Sequence, residues 1–225
     1  MKVLTLDLGN TSVDLCLFEK ELLYIGKFSP SDLPVLKAEK VLVSSVRPSA
    51  EALVKEKYPQ AEFVRSADVP VNTTLCKEKV GVDRLLNLYG AVRLYGEDLV
   101  VVSAGTALVV DLSVQGTFCG GFIVPGLALG LECLCRRAEL LPELNLKELR
   151  VSVGTTTEEA VVGGIINQSL HFVKACVESW SHAYGRELKV VLTGGDGWLL
   201  RELGLYDPLL LHRAMLLLAG FCSAP

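Results

Sequence analysis

The sequence predicts an α/β protein built from two similar halves. Three observations lead there. Short apolar runs rich in Val and Leu alternate with stretches of helical periodicity along the whole chain. Two segments, Leu4–Leu17 (LTLDLGNTSVDLCL) and Val100–Ser113 (VVVSAGTALVVDLS), echo each other. Each reads as a strand, a Gly/Thr turn and a second strand carrying an acidic residue, Asp14 or Asp111. A β-then-helix order recurs in each half, as a duplicated α/β domain would produce.

The elements follow in order. Val3–Leu6 and Val13–Phe18 are β-prone runs, and Gly9 and Asn10 between them tolerate positive φ, so the segment predicts a strand–turn–strand. Leu22–Phe28 completes a meander, and Val41–Val46 reads as a buried strand. Pro48 opens a helical segment, Ser49–Tyr58, which Pro59 ends. Glu62–Arg65 reads as a short strand, and Val69–Val80 has no clear period and reads as a loop. Leu85, Leu88, Ala91, Val92 and Tyr95 recur at helical spacing over Arg84–Tyr95. Leu99–Val102 and Leu108–Leu112 are strands around Ala104-Gly105-Thr106, and Gly116–Val124 is a strand ended by Pro125-Gly126. Helices are expected over Leu127–Leu140 and Thr157–Tyr184. A strand, Leu188–Leu192, leads into the turn Thr193-Gly194-Gly195-Asp196-Gly197, and two helical segments, Trp198–Leu203 and Pro208–Phe221, close the chain. The expected domains are residues 1–112 and 113–225.

Composition narrows the function. The 225 residues are 50% apolar, enough for one large domain or two small ones. Lys and Arg number 22 against 26 Asp and Glu, for a net charge of −4. That balance disfavours nucleic acid or an anionic membrane as a partner, because both demand concentrated basic side chains. The seven cysteines are irregularly spaced and mostly lie in apolar runs, which predicts buried reduced thiols rather than a zinc or disulfide framework. None of the three histidines forms a ligand pair with a cysteine. Asp7 interrupts the first apolar run too early for a signal peptide, and no apolar stretch of membrane-spanning length lacks a charge. A cytoplasmic location is expected.

The two turns carry the chemistry. A polyphosphate needs backbone N–H donors at close range, and Gly permits that approach because it lacks Cβ. Thr adds a hydroxyl, and a carboxylate before the turn can hold Mg²⁺ directly or through water. Asp7-Leu8-Gly9-Asn10-Thr11-Ser12 contains all of these parts, and Gly105-Thr106 repeats the turn. Taken alone, such a turn is equally a plain hairpin. Asp83 alone is equally a carboxylate favoured by a helix N-terminus.

The ordered set of motifs resembles the type III pantothenate kinases. Asp7-Leu8-Gly9-Asn10-Thr11 is similar to the family's first phosphate loop. Gly81-Val82-Asp83-Arg84 is similar to its pantothenate-binding Gly-x-Asp-Arg. Gly105-Thr106-Ala107 is similar to its second phosphate motif, and Gly120–Gly126 to its Gly-Gly-x-Ile-x-Pro-Gly stretch. Val153-Gly154 with Thr157 fits its later substrate-contacting Thr, and Thr193-Gly194-Gly195 its nucleotide-side turn. The resemblance implies duplicated ribonuclease H-like (actin-like ATPase) domains, mixed sheets flanked by helices and an active-site cleft between them. It implies ATP-dependent phosphorylation of pantothenate to 4′-phosphopantothenate, the first step toward coenzyme A, by a homodimer. Asp83 would be the general base, with Gly81, Val82, Arg84 and Thr157 on the substrate. Leu8, Gly9, Asn10, Thr11, Ser12, Gly105, Thr106, Gly194 and Gly195 would contact ATP, and Asp7 would organise Mg²⁺. Ser103 stands where the family has an Asp associated with a monovalent cation, K⁺ or NH₄⁺, and a neutral oxygen takes away that cation's charge partner. Two alternatives stay open: a non-catalytic accessory or regulatory protein on the same fold, or a kinase with another small hydroxyl acceptor.

Overall fold

The structure, a computed structural model, describes residues 1–221. The chain forms two compact units, one of residues 1–96 together with the segment from Leu209 onward, the other Glu97–Pro208. The division therefore does not follow the sequential halves expected at 112/113. The closing helix is strongly apolar, and it buries that face in the first unit rather than in the one preceding it in sequence.

In the first unit, β1 (Val3–Leu8), β2 (Val13–Phe18) and β3 (Leu22–Phe28) form the expected meander. β4 (Lys40–Ser45) and β5 (Ala61–Phe63) extend it in parallel, giving the order β3-β2-β1-β4-β5. Helix α1 (Pro48–Lys57) starts on its proline and packs Ala50 and Val54 with Leu4, Leu6, Leu8, Val41 and Val43 in one core. Tyr58 follows α1, and its hydroxyl donates to the Pro34 carbonyl at 2.6 Å. The 69–80 stretch is irregular as expected, apart from a two-residue strand, Asn72–Thr73, and a short 3₁₀ turn, Lys77–Lys79.

Helix α2 (Val82–Tyr95) completes the sequential part of the first unit. In the second unit, β6 (Leu99–Ala104), β7 (Ala107–Val114) and β8 (Thr117–Pro125) form a second antiparallel meander. Helix α3 (Leu127–Arg137) and the long α4 (Gly164–Tyr184) follow, then β9 (Lys189–Thr193) and β10 (Leu205–Tyr206). β9 lies parallel to β6, and β10 parallel to β9. Within this unit the order β8-β7-β6-β9-β10 reproduces the order and strand directions of the first sheet. That repeated topology is the duplication anticipated from the sequence echo. The fold is the α/β, actin-like ATPase class. Helices α3 and α4 bury Leu127, Leu131, Ile166, Leu170 and Val173 against Val100, Val102, Leu108 and Val110. A π-helical turn, Glu159–Gly163, precedes α4, so the helical stretch expected over 157–184 is present with one wide turn. Glu159–Tyr184 is long and apolar enough by composition to cross a membrane, but Ile166, Leu170 and Val173 face the core, as in a core helix of a globular unit.

The last helix, α5 (Leu210–Leu218), lies beside α2 and β1 in the first unit. Gly90 of α2 lets the two helices approach, since a Cβ there would stand 2.9 Å from the Ala214 Cβ. His212 of α5 forms a buried hydrogen bond through Nδ1 with the Thr5 hydroxyl at 2.8 Å.

The echo is not residue-for-residue. Four residues connect β1 to β2 and only Gly105-Thr106 connects β6 to β7. Asp14 therefore stands opposite Asp7, whereas Asp111 stands opposite Val101, the place taken by Cys16 opposite Thr5 in the first hairpin. The expectation of buried thiols is corrected likewise. Cys16 and Cys176 are buried, Cys119 and Cys135 are half-buried, and Cys76 and Cys133 are exposed on a loop and on α3. Cys222 lies outside the described residues.

Candidate active site

Asp7 sits one residue before the end of β1, and the chain then turns through Gly9–Ser12. The turn is closed by the Gly9 N–H donating to the Ser12 carbonyl at 3.0 Å, which leaves Asn10 and Thr11 exposed. Leu8 is fully buried in the core, so it can offer a ligand only its backbone. The same holds for Val82, whose side chain is 6% exposed.

Gly81 precedes α2, and its carbonyl accepts from the N–H groups of Arg84 and Leu85 at 3.1 and 3.3 Å. Asp83 lies in the first turn, where helix amides favour a carboxylate. Its side chain folds back over Gly81, such that a Cβ on that residue would stand 2.5 Å from Asp83 Oδ1. The glycine thus sets where the carboxylate points. A Gly81→Ala variant is expected to stay within about 0.5 kcal/mol of wild-type stability, since only a side-chain tip must move. Its turnover is expected to fall by roughly tenfold as Asp83 is displaced. Parallel thermal melts and steady-state kinetics check both halves.

Asp7 and Asp83 carry an electrostatic cost. Burial pushes the Asp7 carboxyl up to about 7, and the neighbouring charges of Asp83 and Asp14 push the same way. Lys27 and the Ser44 hydroxyl oppose them. Burial also raises Asp83, against the Arg84 backbone N–H and the Arg84 charge. Among the described residues, no three His, Cys, Asp or Glu side chains converge closely enough to hold a metal by themselves. The set suits a hard divalent cation that keeps its waters and binds phosphate oxygens, because such a cation would relieve the carboxylate repulsion around Asp7.

The second unit assembles its own turn. Gly105 has open space where a Cβ would point, and Thr106 is exposed. The Gly126 N–H donates to the Thr106 carbonyl at 3.0 Å, and a Cβ on Gly126 would lie 1.9 Å from the Gly105 carbonyl oxygen. Pro125-Gly126 is therefore the buttress of this turn. Parallel pairing sets Thr193 beside Ser103, which brings Gly194-Gly195 to the same end of the sheet. Gly194 has a φ of 84°, and a Cβ there would lie 2.3 Å from the Ala104 carbonyl oxygen, which also accepts from the Asp196 N–H at 3.0 Å. Gly194→Ala combines a left-handed backbone with a collision against backbone that cannot yield. A loss of roughly 2–4 kcal/mol is expected, readable in a urea melt.

Ser103 is half-buried on β6 with no carboxylate of its own to offer, while Leu108 is 1% exposed and belongs to the core. Thr157 is exposed at the start of the helical stretch, in the second unit, whereas Gly81–Arg84 belong to the first. The turn before it is held by Glu159, whose carboxylate accepts from the Thr155 N–H at 2.8 Å and the Thr155 hydroxyl at 2.7 Å.

Reasoning from sequence missed three side chains around the Asp7–Asp14 pair: Ser44, which stands opposite Asp7, and Tyr24 and Lys27, which engage Asp14. Only Ser44 left a trace, as a polar residue inside the apolar run Val41–Val46. Tyr24 and Lys27 read as the ordinary solvated face of an edge strand.

The type III pantothenate kinase family profile matches residues 3–179. The chain is 40% identical over 222 residues to a type III pantothenate kinase of Aquifex aeolicus, covering 96% of each. It is 31% identical to the type III pantothenate kinase of Synechococcus elongatus over 78% of this chain and 74% of that one. A solved structure of a conserved Campylobacter jejuni protein assigned to the Baf family of transcriptional activators superposes with a TM-score of 0.69 at 22% identity, covering 96% and 97% of the two chains. At that identity the likeness speaks for the fold alone. Sheet order, motif placement and sequence relatives agree, and the chain belongs to the type III pantothenate kinase family.

Proposed function

We propose that this protein transfers the terminal phosphoryl group of ATP to the primary hydroxyl of pantothenate, with Asp83 as the general base. The observation that carries the assignment of the base is the Asp83 carboxylate, half-buried at the head of α2, folded over Gly81 and electrostatically coupled to Asp7. A primary alcohol is a poor nucleophile, and a positioned carboxylate that accepts its proton fits the need. Arg84 holds the substrate or the developing charge by directed hydrogen bonds. A depression of about 310 Å³ lined by Ser45, Val46, Arg65, Ser66, Gly81 and Val82 adjoins this helix start and offers room for the acceptor. Thr157 is assigned to the acceptor. Gly9, Asn10, Thr11, Ser12, Gly105, Thr106, Gly194 and Gly195 are assigned to ATP, along with the Leu8 backbone. Asp7 would hold Mg²⁺ through water, and the ion, when bound, neutralises charge on the phosphate oxygens.

Ser103 leads to a second expectation. A cation at this place has lost its carboxylate, so the rate should be indifferent to added K⁺ or NH₄⁺. A K⁺ titration at fixed ionic strength checks it, and strong activation would defeat the reading. We assign the protein to the cytoplasm, without nucleic-acid or membrane partners. We also assign it a homodimeric state. In support, Phe122 and Ile123 on β8 are 49% and 59% exposed, and Leu129 and Leu134 are exposed on α3. Phe122 stacks on Trp180 with ring centroids 5.7 Å apart, a rigid apolar surface of the kind that self-association covers. Light scattering on the purified protein tests it.

The decisive assay is ADP release that depends on pantothenate. ATP binding without turnover would favour the accessory-protein reading, and turnover only with another alcohol would favour the other kinase reading.

A further inference from the structure

Four strands of the first sheet place one polar residue each on a single rung. Lys27 on β3 stands opposite Asp14 on β2, Asp14 opposite Asp7 on β1, and Asp7 opposite Ser44 on β4. Residues directly opposite on neighbouring strands share a face of the sheet. The rung therefore runs Lys27–Asp14–Asp7–Ser44 along one face, one residue in from the end where the Gly9–Ser12 turn closes. Its outer half is tied together. The Tyr24 hydroxyl donates to Asp14 Oδ1 at 2.7 Å, and Lys27 Nζ lies 3.6 Å from Asp14 Oδ2. Asp14 is thereby engaged by two partners.

The inner half is not tied. Ser44 is fully buried, and its hydroxyl has no hydrogen-bond partner of good geometry among the described residues. A buried hydroxyl without a partner costs stability, and a protein core has an easy remedy in Ala. The hydroxyl nevertheless belongs to the residue paired directly with Asp7 across β1 and β4, on the same face of the sheet. An unsatisfied donor held beside a carboxylate is the arrangement expected of a group whose partner position is settled only when a ligand arrives.

We infer that Ser44 is a positioning residue of the nucleotide–metal site, donating its hydroxyl proton to the Asp7 carboxylate and fixing the rotamer in which Asp7 receives Mg-ATP. This rests on the assignment of Asp7 to the nucleotide. On the other side of Asp7 stands Asp14, itself held by Tyr24 and Lys27, so within the rung Ser44 is the neighbour with a hydroxyl to give to Asp7.

A structural role and a positioning role part company in Ser44→Ala. Ala removes a buried unsatisfied oxygen, so the ligand-free protein should melt at the same temperature or slightly higher. The dissociation constant for Mg-ATP should rise about tenfold, the scale of one hydrogen bond to a charged group. The two quantities are measured on the intact chain by thermal melts without ligand and by equilibrium titration with Mg-ATP, beside Asp7→Asn. Affinity within twofold of wild type, while Asp7→Asn binds poorly, would overturn the role of Ser44 and leave Asp7 in place. A ligand-free melting temperature lowered by several degrees would make Ser44 structural and overturn it equally. Unchanged affinity in Asp7→Asn itself would remove the nucleotide assignment on which the inference stands.

Discussion

Asp83→Asn is expected to lower kcat by roughly 10²–10⁴-fold, the range that a positioned general base supplies. The KM for pantothenate should move far less, because Asn keeps the shape and most of the hydrogen-bonding capacity of Asp. The pH dependence gives an independent reading of the same group. Burial raises the Asp83 pKa above its ordinary 3.8, more than the Arg84 charge and the helix amides lower it. A base acts in its ionised form, so activity in the wild type should fall as pH drops through that raised value. The acid limb will lie higher than an ordinary Asp would place it. Asp83→Asn should lose the limb together with the rate. A variant that keeps kcat within threefold, with the limb intact, would remove Asp83 from the role of base.

Asp7→Asn is expected to do two opposite things: abolish most of the activity and stabilise the fold. The sign follows from linkage. The Asp7 carboxyl has an ordinary pKa of 3.8 and one of about 7 in the folded protein. Between those values the unfolded chain releases the proton while the folded chain holds it, so the wild type loses stability as pH rises through this window. Above about pH 7 the full cost is present. The rise corresponds to at most about 4 kcal/mol, and solvent contact at Asp7 reduces it to about 1–2 kcal/mol. The variant has no proton to release there. Its melting temperature should exceed that of the wild type by roughly 2–6 °C at pH 8, with the gap closing toward pH 4. Melts across that range, without ligand, check the slope, and equal curves at every pH would show that Asp7 is not under strain. Such an exchange of stability for function is the usual signature of a group placed for a ligand rather than for the fold.

Much of this protein was legible in its sequence because the information is local. Asp7 through Ser12 reads as a strand running into a phosphate-type turn, since β-prone runs and positive-φ-tolerant residues act within a few positions of themselves. Gly105-Thr106 and Gly194-Gly195 read as turns for the same reason, and the echo that became two sheets of one topology was legible likewise, whereas Gly81–Arg84 stood out only through its likeness to the family's Gly-x-Asp-Arg. Tertiary structure alone decided the rest. No local signal sends α5 back to the first unit, where His212 meets Thr5, because that choice depends on which distant apolar surface still needs cover. Nor can a strand's own residues reveal what stands opposite them. Ser44 comes to stand beside Asp7, and Tyr24 and Lys27 reach its neighbour Asp14, only through the register of four strands, and register is fixed by burying whole faces at once. The raised pKa of Asp7 belongs to the same class, for it is set by burial and by the charges of Asp83 on α2 and Asp14 on β2, against the Lys27 charge on β3. Residue types and short spacings determined which chemistry this chain can host. Long-range packing determined which side chains surround that chemistry, because desolvation and cross-strand proximity exist only once the sheet has closed over them.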